Sequence, residues 1–166
     1  MDGHSEQAVS QLWHYALQVY ADPAVATACL HAQDVFGVDV NLLLCAAWCA
    51  SRGQRLELRQ LAALDEHCRG WREQVITPLR RQRRNWKDDP AHREDYASIK
   101  RLELEAEREQ LSRLERAVLE LPSADTHVGG AEDPALLRAN LALVCEYFDA
   151  GARAADPLVN ALTPRV

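Results

Sequence analysis

The chain has 166 residues, 48% of them hydrophobic, and a formal net charge of −6 from 19 basic and 25 acidic side chains. That length and apolar fraction suit one globular domain with a sizeable core and exclude an intrinsically disordered chain. The acidic balance argues against general nucleic-acid binding, which depends on a basic excess.

Only 7 Gly and 7 Pro punctuate the chain, and Ala, Leu, Glu, Gln and Arg, all good helix formers, predominate. Alternating β-branched runs are absent, so the expected class is all-α. Met1 to Glu6 shows no basic stretch leading into an apolar one, so no secretory leader is expected. The longest apolar stretch, Leu42 to Ala50, falls far short of the roughly 20 residues of a spanning helix. Cys29, Cys45, Cys49, Cys68 and Cys145 form no Cys-x-x-Cys pair and fall in helical patterns. Buried, reduced thiols in a bacterial cytoplasm are the expectation.

The first helix is predicted from Glu6 to Ala21, with Val9, Leu12, Trp13, Ala16, Val19 and Tyr20 on its apolar face. Asp22-Pro23 reads as N-cap and first residue of a second helix that Gly37 ends after Phe36. Asp39 then caps a third helix, Val40 to Arg52, closed by Gly53. Nothing polar interrupts it between Leu42 and Ala50, so protein must surround it. Leu56, Leu58, Leu61 and Leu64 mark a short fourth helix. A fifth, from Glu66 to Lys87, is expected to kink or break at Pro78, which removes the hydrogen bond to the Gln74 carbonyl.

Asp89 caps a turn at Pro90, and a sixth helix runs from Ala91 to Leu121, roughly 45 Å at 1.5 Å per residue. Leu104, Leu111, Leu114, Val118 and Leu121 lie near heptad register in it, with Glu107 interrupting. Its drifting apolar stripe suggests an antiparallel hairpin with helix five. Pro122 to Glu132 reads as a loop, Asp133-Pro134 starts a seventh helix to Ala150, and Asp156-Pro157 begins a last short turn. The expected architecture is a single domain over 1–166: a helical bundle from 6–65 and 133–150 carrying a long antiparallel hairpin over 66–121.

Leu12-Trp13-x-Tyr15-Ala16-Leu17, Cys29-Leu30-x-x-Gln33-Asp34 and the string Gly37-Val38-Asp39-Val40-Asn41-Leu42-Leu43-Leu44, with Trp48, resemble an uncharacterised family of small gammaproteobacterial proteins. Pro78-Leu79-Arg80, Arg83-Arg84 and Lys87 resemble that family's second block. The likeness covers about the first 90 residues. It implies a bacterial cytosolic protein and transfers no catalytic residue.

Two clusters are candidates for function. Trp13, Asp34, Asp39, Asn41 and Trp48 gather near the junction of helices two and three and could line a ligand pocket; the competing reading is helix capping, with Asp39 serving helix three and Asp34 holding the turn. The segment Leu79 to Lys87, LRRQRRNWK, carries five cations in nine residues. Arg80, Arg83, Arg84 and Lys87 share one helical stripe, with Leu79 and Trp86 facing away. The stripe suits an acidic protein surface or the phosphates of a nucleic acid. It equally suits pairing with the acidic residues of helix six, among them Glu94, Asp95, Glu103, Glu105, Glu107 and Glu109.

His31 and Asp34, at i and i+3, could chelate an ion, but no Glu-x-x-His pair supports a metal centre, and Cys45 and Cys49 sit in an unbroken apolar run. No Gly-x-Ser-x-Gly and no phosphate loop occur. The reading is a non-enzymatic cytoplasmic adaptor or regulatory protein, without cofactor or metal. It binds an unknown protein partner through Arg80, Arg83, Arg84, Trp86 and Lys87. The alternatives are a small-molecule pocket or enzyme site near Asp34, Asp39 and Asn41, then nucleic-acid binding through the stripe; a homodimer through helix 91–121 is also open.

Overall fold

The computed structural model describes residues 10–122 and 133–163, and the helices below are built from these. Among the described residues every regular element is helical. Helix α1 (Gln11–Tyr20) starts at Ser10, whose side chain accepts from the Trp13 amide. The first turn predicted from Glu6 lies outside the described residues. A second cap comes from far along the chain: Glu115 accepts the amides of Gln11 and Leu12 and the Ser10 hydroxyl. A carboxylate at a helix start is favourable because the orphan amides carry partial positive charge.

Helix α2 (Pro23–Phe36) is capped by Asp22, with Pro23 in its first turn, and Gly37 ends it at φ 67°. In α3 (Val40–Ser51) the Asp39 carboxylate accepts from the amides of Asn41 and Leu42. All ten residues from Asn41 to Ala50 are buried. Helices α1, α2, α6 and α7 pack around it. Each buried Leu here contributes about 1.5–3 kcal/mol relative to exposure. The rod enclosed by its neighbours is therefore the centre of the molecule.

The expected break between a fourth helix and a fifth beginning at Glu66 is absent. Helix α4 (Leu58–Trp71), a π-helical turn (Arg72–Ile76) and α5 (Thr77–Trp86) follow one another without a break. Asp65, the one residue between Leu64 and Glu66 that could cap a new helix, gives its carboxylate to Arg69, Arg72 and Tyr147 instead of to backbone amides, and the helix runs on. Pro78 is accommodated by the wide turn just before it, where the Thr77 amide reaches back five residues to the Arg72 carbonyl. A π-turn shifts the carbonyl row by one place, so the proline ring meets a loosened turn instead of a closed one.

Asp89 accepts from the Ala91 amide and opens a single 3-10 turn at Pro90–His92. Helix α6 (Arg93–Glu120) then returns antiparallel to α5 and spans about 42 Å. The base of this hairpin belongs to the bundle: Leu111, Leu114, Ala117 and Val118 sit in the core. Leu104, read as part of the buried stripe, is half exposed, while Ala106 and Gln110 are buried instead. The apolar face drifts around α6 because its neighbours change along its length, α5 near its start and α1, α3 and α4 nearer its end.

The expected loop is described only at Pro122. Asp133 caps α7 (Pro134–Tyr147), which packs on α3; Asn140, fully buried, accepts from the Leu56 amide and donates to the carbonyls of Ala46 and Gln54. That amide thereby satisfies the irregular link between α3 and α4. A 3-10 turn (Ala152–Ala155) leads to α8 (Asp156–Leu162), longer than the single turn expected.

Candidate functional site

The centre of polar organisation is Arg72, the first residue of the π-turn. Its Nη1 donates to Asp39 Oδ2 at 2.7 Å and to Asp65 Oδ1 at 2.8 Å. Gln110 of α6 donates to Asp39 Oδ2 at 2.9 Å and accepts from Asn41 Nδ2 at 3.2 Å. Asp65 Oδ2 accepts from Arg69 and from the Tyr147 hydroxyl, both at 2.9 Å. The Asp39 and Asp65 side chains are 5% and 3% exposed. Charges so deep persist only when paired and fully hydrogen-bonded. Burial by itself would raise the Asp65 carboxyl, but hydrogen bonds from Arg69, Arg72 and Tyr147 outweigh it and hold the group below the usual Asp range.

Beside this network lies a cleft. Its apolar part has a volume of about 280 Å³ and is walled by Trp13, Leu17 and Tyr20 of α1, Leu30 of α2, Leu44 of α3 and Leu104 of α6. Its polar part, about 320 Å³, is bordered by Asp34, Asp39, Arg72, Arg84 and Gln110. The two meet along Gln33, Val40, Asn41 and Arg80, which line both. Burial first, then the neighbouring Cys29, pushes the Tyr20 hydroxyl up to about 12.

The structure brings four of the five predicted pocket residues to this cleft. Trp13 and Asn41 line the apolar part, and Asp34, Asp39 and Asn41 the polar part. Trp48 is elsewhere, buried in the core with Arg52 lying 4.6 Å over its ring. Asp39 does cap helix α3. Asp34 holds no turn: its Oδ1 accepts from Arg84 Nη2 at 2.6 Å, joining α2 to α5.

The basic stripe is turned inward for most of its length. Arg80 donates to Glu103 at 3.1 Å and to Glu107 at 2.9 Å, and Arg83 pairs with Glu103. Hydrogen bonding to Glu103 raises the Arg83 guanidinium above its ordinary value. Burial raises the Glu107 carboxyl, against the lowering influence of Arg80. Trp86 stacks on His92 at 5.0 Å, which closes the hairpin's end. Lys87 and Arg81 are exposed and form no ion pair among the described residues.

Sequence reasoning missed Leu17, Leu30, Tyr20, Arg72, Asp65 and Gln110. Asp65, Arg69 and Arg72 recur at i, i+4 and i+7, a one-face spacing that was available as a signal. Gln110 inside the apolar stripe of α6 was another. Neither reveals its partner without the packing of α3 against α6. Among the described residues no three His, Cys, Asp or Glu side chains converge as metal ligands, and His31 lies edge-on to Phe36. All five cysteines are buried free thiols. Burial pushes Cys29 and Cys68 up to about 12 and Cys145 to about 11. No described helix is long and apolar enough to cross a membrane.

The chain belongs to the family described as a protein of unknown function, DUF2390. The match covers residues 11–114, so it takes in the cleft, the Arg72 network apart from Tyr147, and α6 as far as Leu114, well beyond the first 90 residues. No curated protein and no solved structure matches the chain.

Proposed function

We propose that this DUF2390 protein is a non-enzymatic cytoplasmic binding protein that takes an apolar group into the cleft between α1, α2 and the α5–α6 hairpin. One observation carries this reading. Leu17, Leu30 and Leu104 are 51%, 46% and 51% exposed, and all three border the same preformed opening. Large apolar side chains gathered on one concavity mark ligand and partner sites. The carboxylates around the cleft are each paired with a guanidinium, and burial raises the thiols of Cys29, Cys68 and Cys145. Both features support binding over catalysis. Reduced, buried thiols also support a cytoplasmic setting.

The test is the neutral solvatochromic dye Nile red. The folded protein should enhance its emission, and Leu17→Gln with Leu30→Gln should remove the enhancement while far-UV circular dichroism stays the same. Undiminished emission from that variant would place the apolar site elsewhere.

An adaptor role for the hairpin itself is favoured by the outward Arg81 and Lys87 and by Leu102, which is half exposed on α6. Reversing Arg80, Arg83 and Arg84 would break the ion pairs to Glu103, Glu107 and Asp34, confusing partner loss with misfolding. Arg81→Glu with Lys87→Glu is the clean variant: loss of a captured protein partner supports the adaptor role, and unchanged capture removes it. Nucleic acid retained on the same two cations would show a log–log salt slope of about −2, which the double variant would remove.

A further inference from the structure

Resting on the cleft reading, we infer that the occupant is a single-chain amphipathic anion, its aliphatic chain along Trp13, Leu17, Leu30 and Leu104 and its anionic head at Arg80 and Arg84. The two parts of the cleft differ in the required sense, one apolar and one lined by guanidinium groups, and they are continuous through Asn41 and Arg80.

The charges around the cleft favour an anion. Asp39 and Asp65 are matched by Arg72 and Arg69, Glu103 and Glu107 by Arg80 and Arg83, and Asp34 by Arg84. Lys100, which also lines the apolar part, enters no ion pair among the described residues and leaves a surplus of one positive charge. Donors are in surplus too. A guanidinium offers five N–H groups. Arg80 commits Nε and Nη2 to carboxylates, and Arg84 commits only Nη2. Asp39, by contrast, already accepts four hydrogen bonds, from two backbone amides, Arg72 and Gln110. A cationic head placed beside Asp39 would meet a saturated acceptor, and anywhere along the apolar part it would meet the uncompensated Lys100. A neutral head could accept from the remaining guanidinium donors but would leave the charge of Lys100 uncompensated.

Asp34 is the natural competitor of such a head, because it holds Arg84 from the cleft's rim with both side chains half exposed. Its removal and that of Arg84 therefore have opposite effects, a pattern that general destabilisation cannot produce.

The experiment is isothermal titration calorimetry of the full chain with decane-1-sulfonate and with decyltrimethylammonium, both below their micellar concentrations. The sulfonate stays ionised at every working pH. It should bind at least about tenfold tighter than the ammonium, the scale of one charge-assisted hydrogen bond. Arg84→Gln should weaken sulfonate binding several-fold and Asp34→Asn should tighten it, with the urea midpoints of both variants near wild type. Lys100→Gln should produce the smaller loss; a larger loss there than at Arg84 would overturn the placement of the head. Equal affinity for the two probes, abolished for both by Leu17→Gln with Leu30→Gln, would overturn the anionic preference and leave the apolar cleft standing. Failure of both probes to bind would overturn the cleft reading together with this inference.

Discussion

Replacing Arg72 by Met keeps the apolar stem of the side chain and removes the guanidinium end that joins α3 to α4. Two carboxylates with side chains 5% and 3% exposed then lose their shared cation. Breaking a buried pair by removing one partner costs about 3–5 kcal/mol. Asp39 keeps two backbone amides and Gln110, and Asp65 keeps Arg69 and Tyr147, so the lower end applies, about 3 kcal/mol. With a urea m-value of about 2 kcal/mol/M, the midpoint should fall by about 1.5 M in circular dichroism at neutral pH. Adding Asp39→Asn and Asp65→Asn should recover most of the loss by removing the stranded charges. The pH dependence has a definite sign. In the wild type the Asp65 carboxyl is depressed on folding. Its contribution is therefore complete above the unfolded value of about 3.9 and lost as pH falls through the folded one. Without Arg72 that protection weakens, so the gap between variant and wild type should narrow in acid. A midpoint within a few tenths molar of wild type at neutral pH would refute the claim that Arg72 holds the bundle's polar junction.

Gly37→Ala should cost about 1 kcal/mol in urea titration, because φ 67° is left-handed while open space awaits the added Cβ; an unchanged midpoint would contradict this purely conformational cost. None of the five thiols should react promptly with a disulfide reagent in the native protein near neutral pH, since burial raises Cys29, Cys68 and Cys145, and all five should react in denaturant; one fast native thiol would show an opening near its helix. The Glu107 carboxyl is raised by burial above its unfolded value of about 4.3, so holding it ionised opposes folding as pH rises through the folded value. Glu107→Gln should be at least as stable as wild type at neutral pH, and the wild type should gain on it as pH falls; clear destabilisation at neutral pH would mean that the pair with Arg80 outweighs the burial.

Much of the architecture was legible because its signals are local. Asp22-Pro23, Asp39 and Asp133-Pro134 cap helices where expected, since a cap needs only its own first turn. The unbroken apolar run of α3 dictated enclosure before any neighbour was known. The continuity of α4 through α5 was hidden, because whether Pro78 breaks a helix depends on the turn preceding it. Leu104 misled for a related reason. Heptad spacing shows that residues share a face, and only the neighbouring helices decide which part of that face is covered.

The site was legible in its parts and not in its grouping. Asp34, Asp39 and Asn41 were read as one pocket cluster, and Arg80, Arg83 and Arg84 as an arm for an outside partner. The Arg84–Asp34 pair sets α5 opposite the α2–α3 junction and makes them the two walls of one cleft. The decisive quantity is pairing across elements: Arg84 with Asp34 spans 50 positions in sequence, and Gln110 with Asp39 spans 71. A charge stripe on one helix specifies a direction and a sign, but the carboxylates that answer it belong to other helices. What those pairs leave over, the spare donors of Arg80 and Arg84 and the lone charge of Lys100 beside exposed leucines, gives the cleft its chemical character. The ion pairs therefore hold the walls in place, and their unmatched remainder selects what enters.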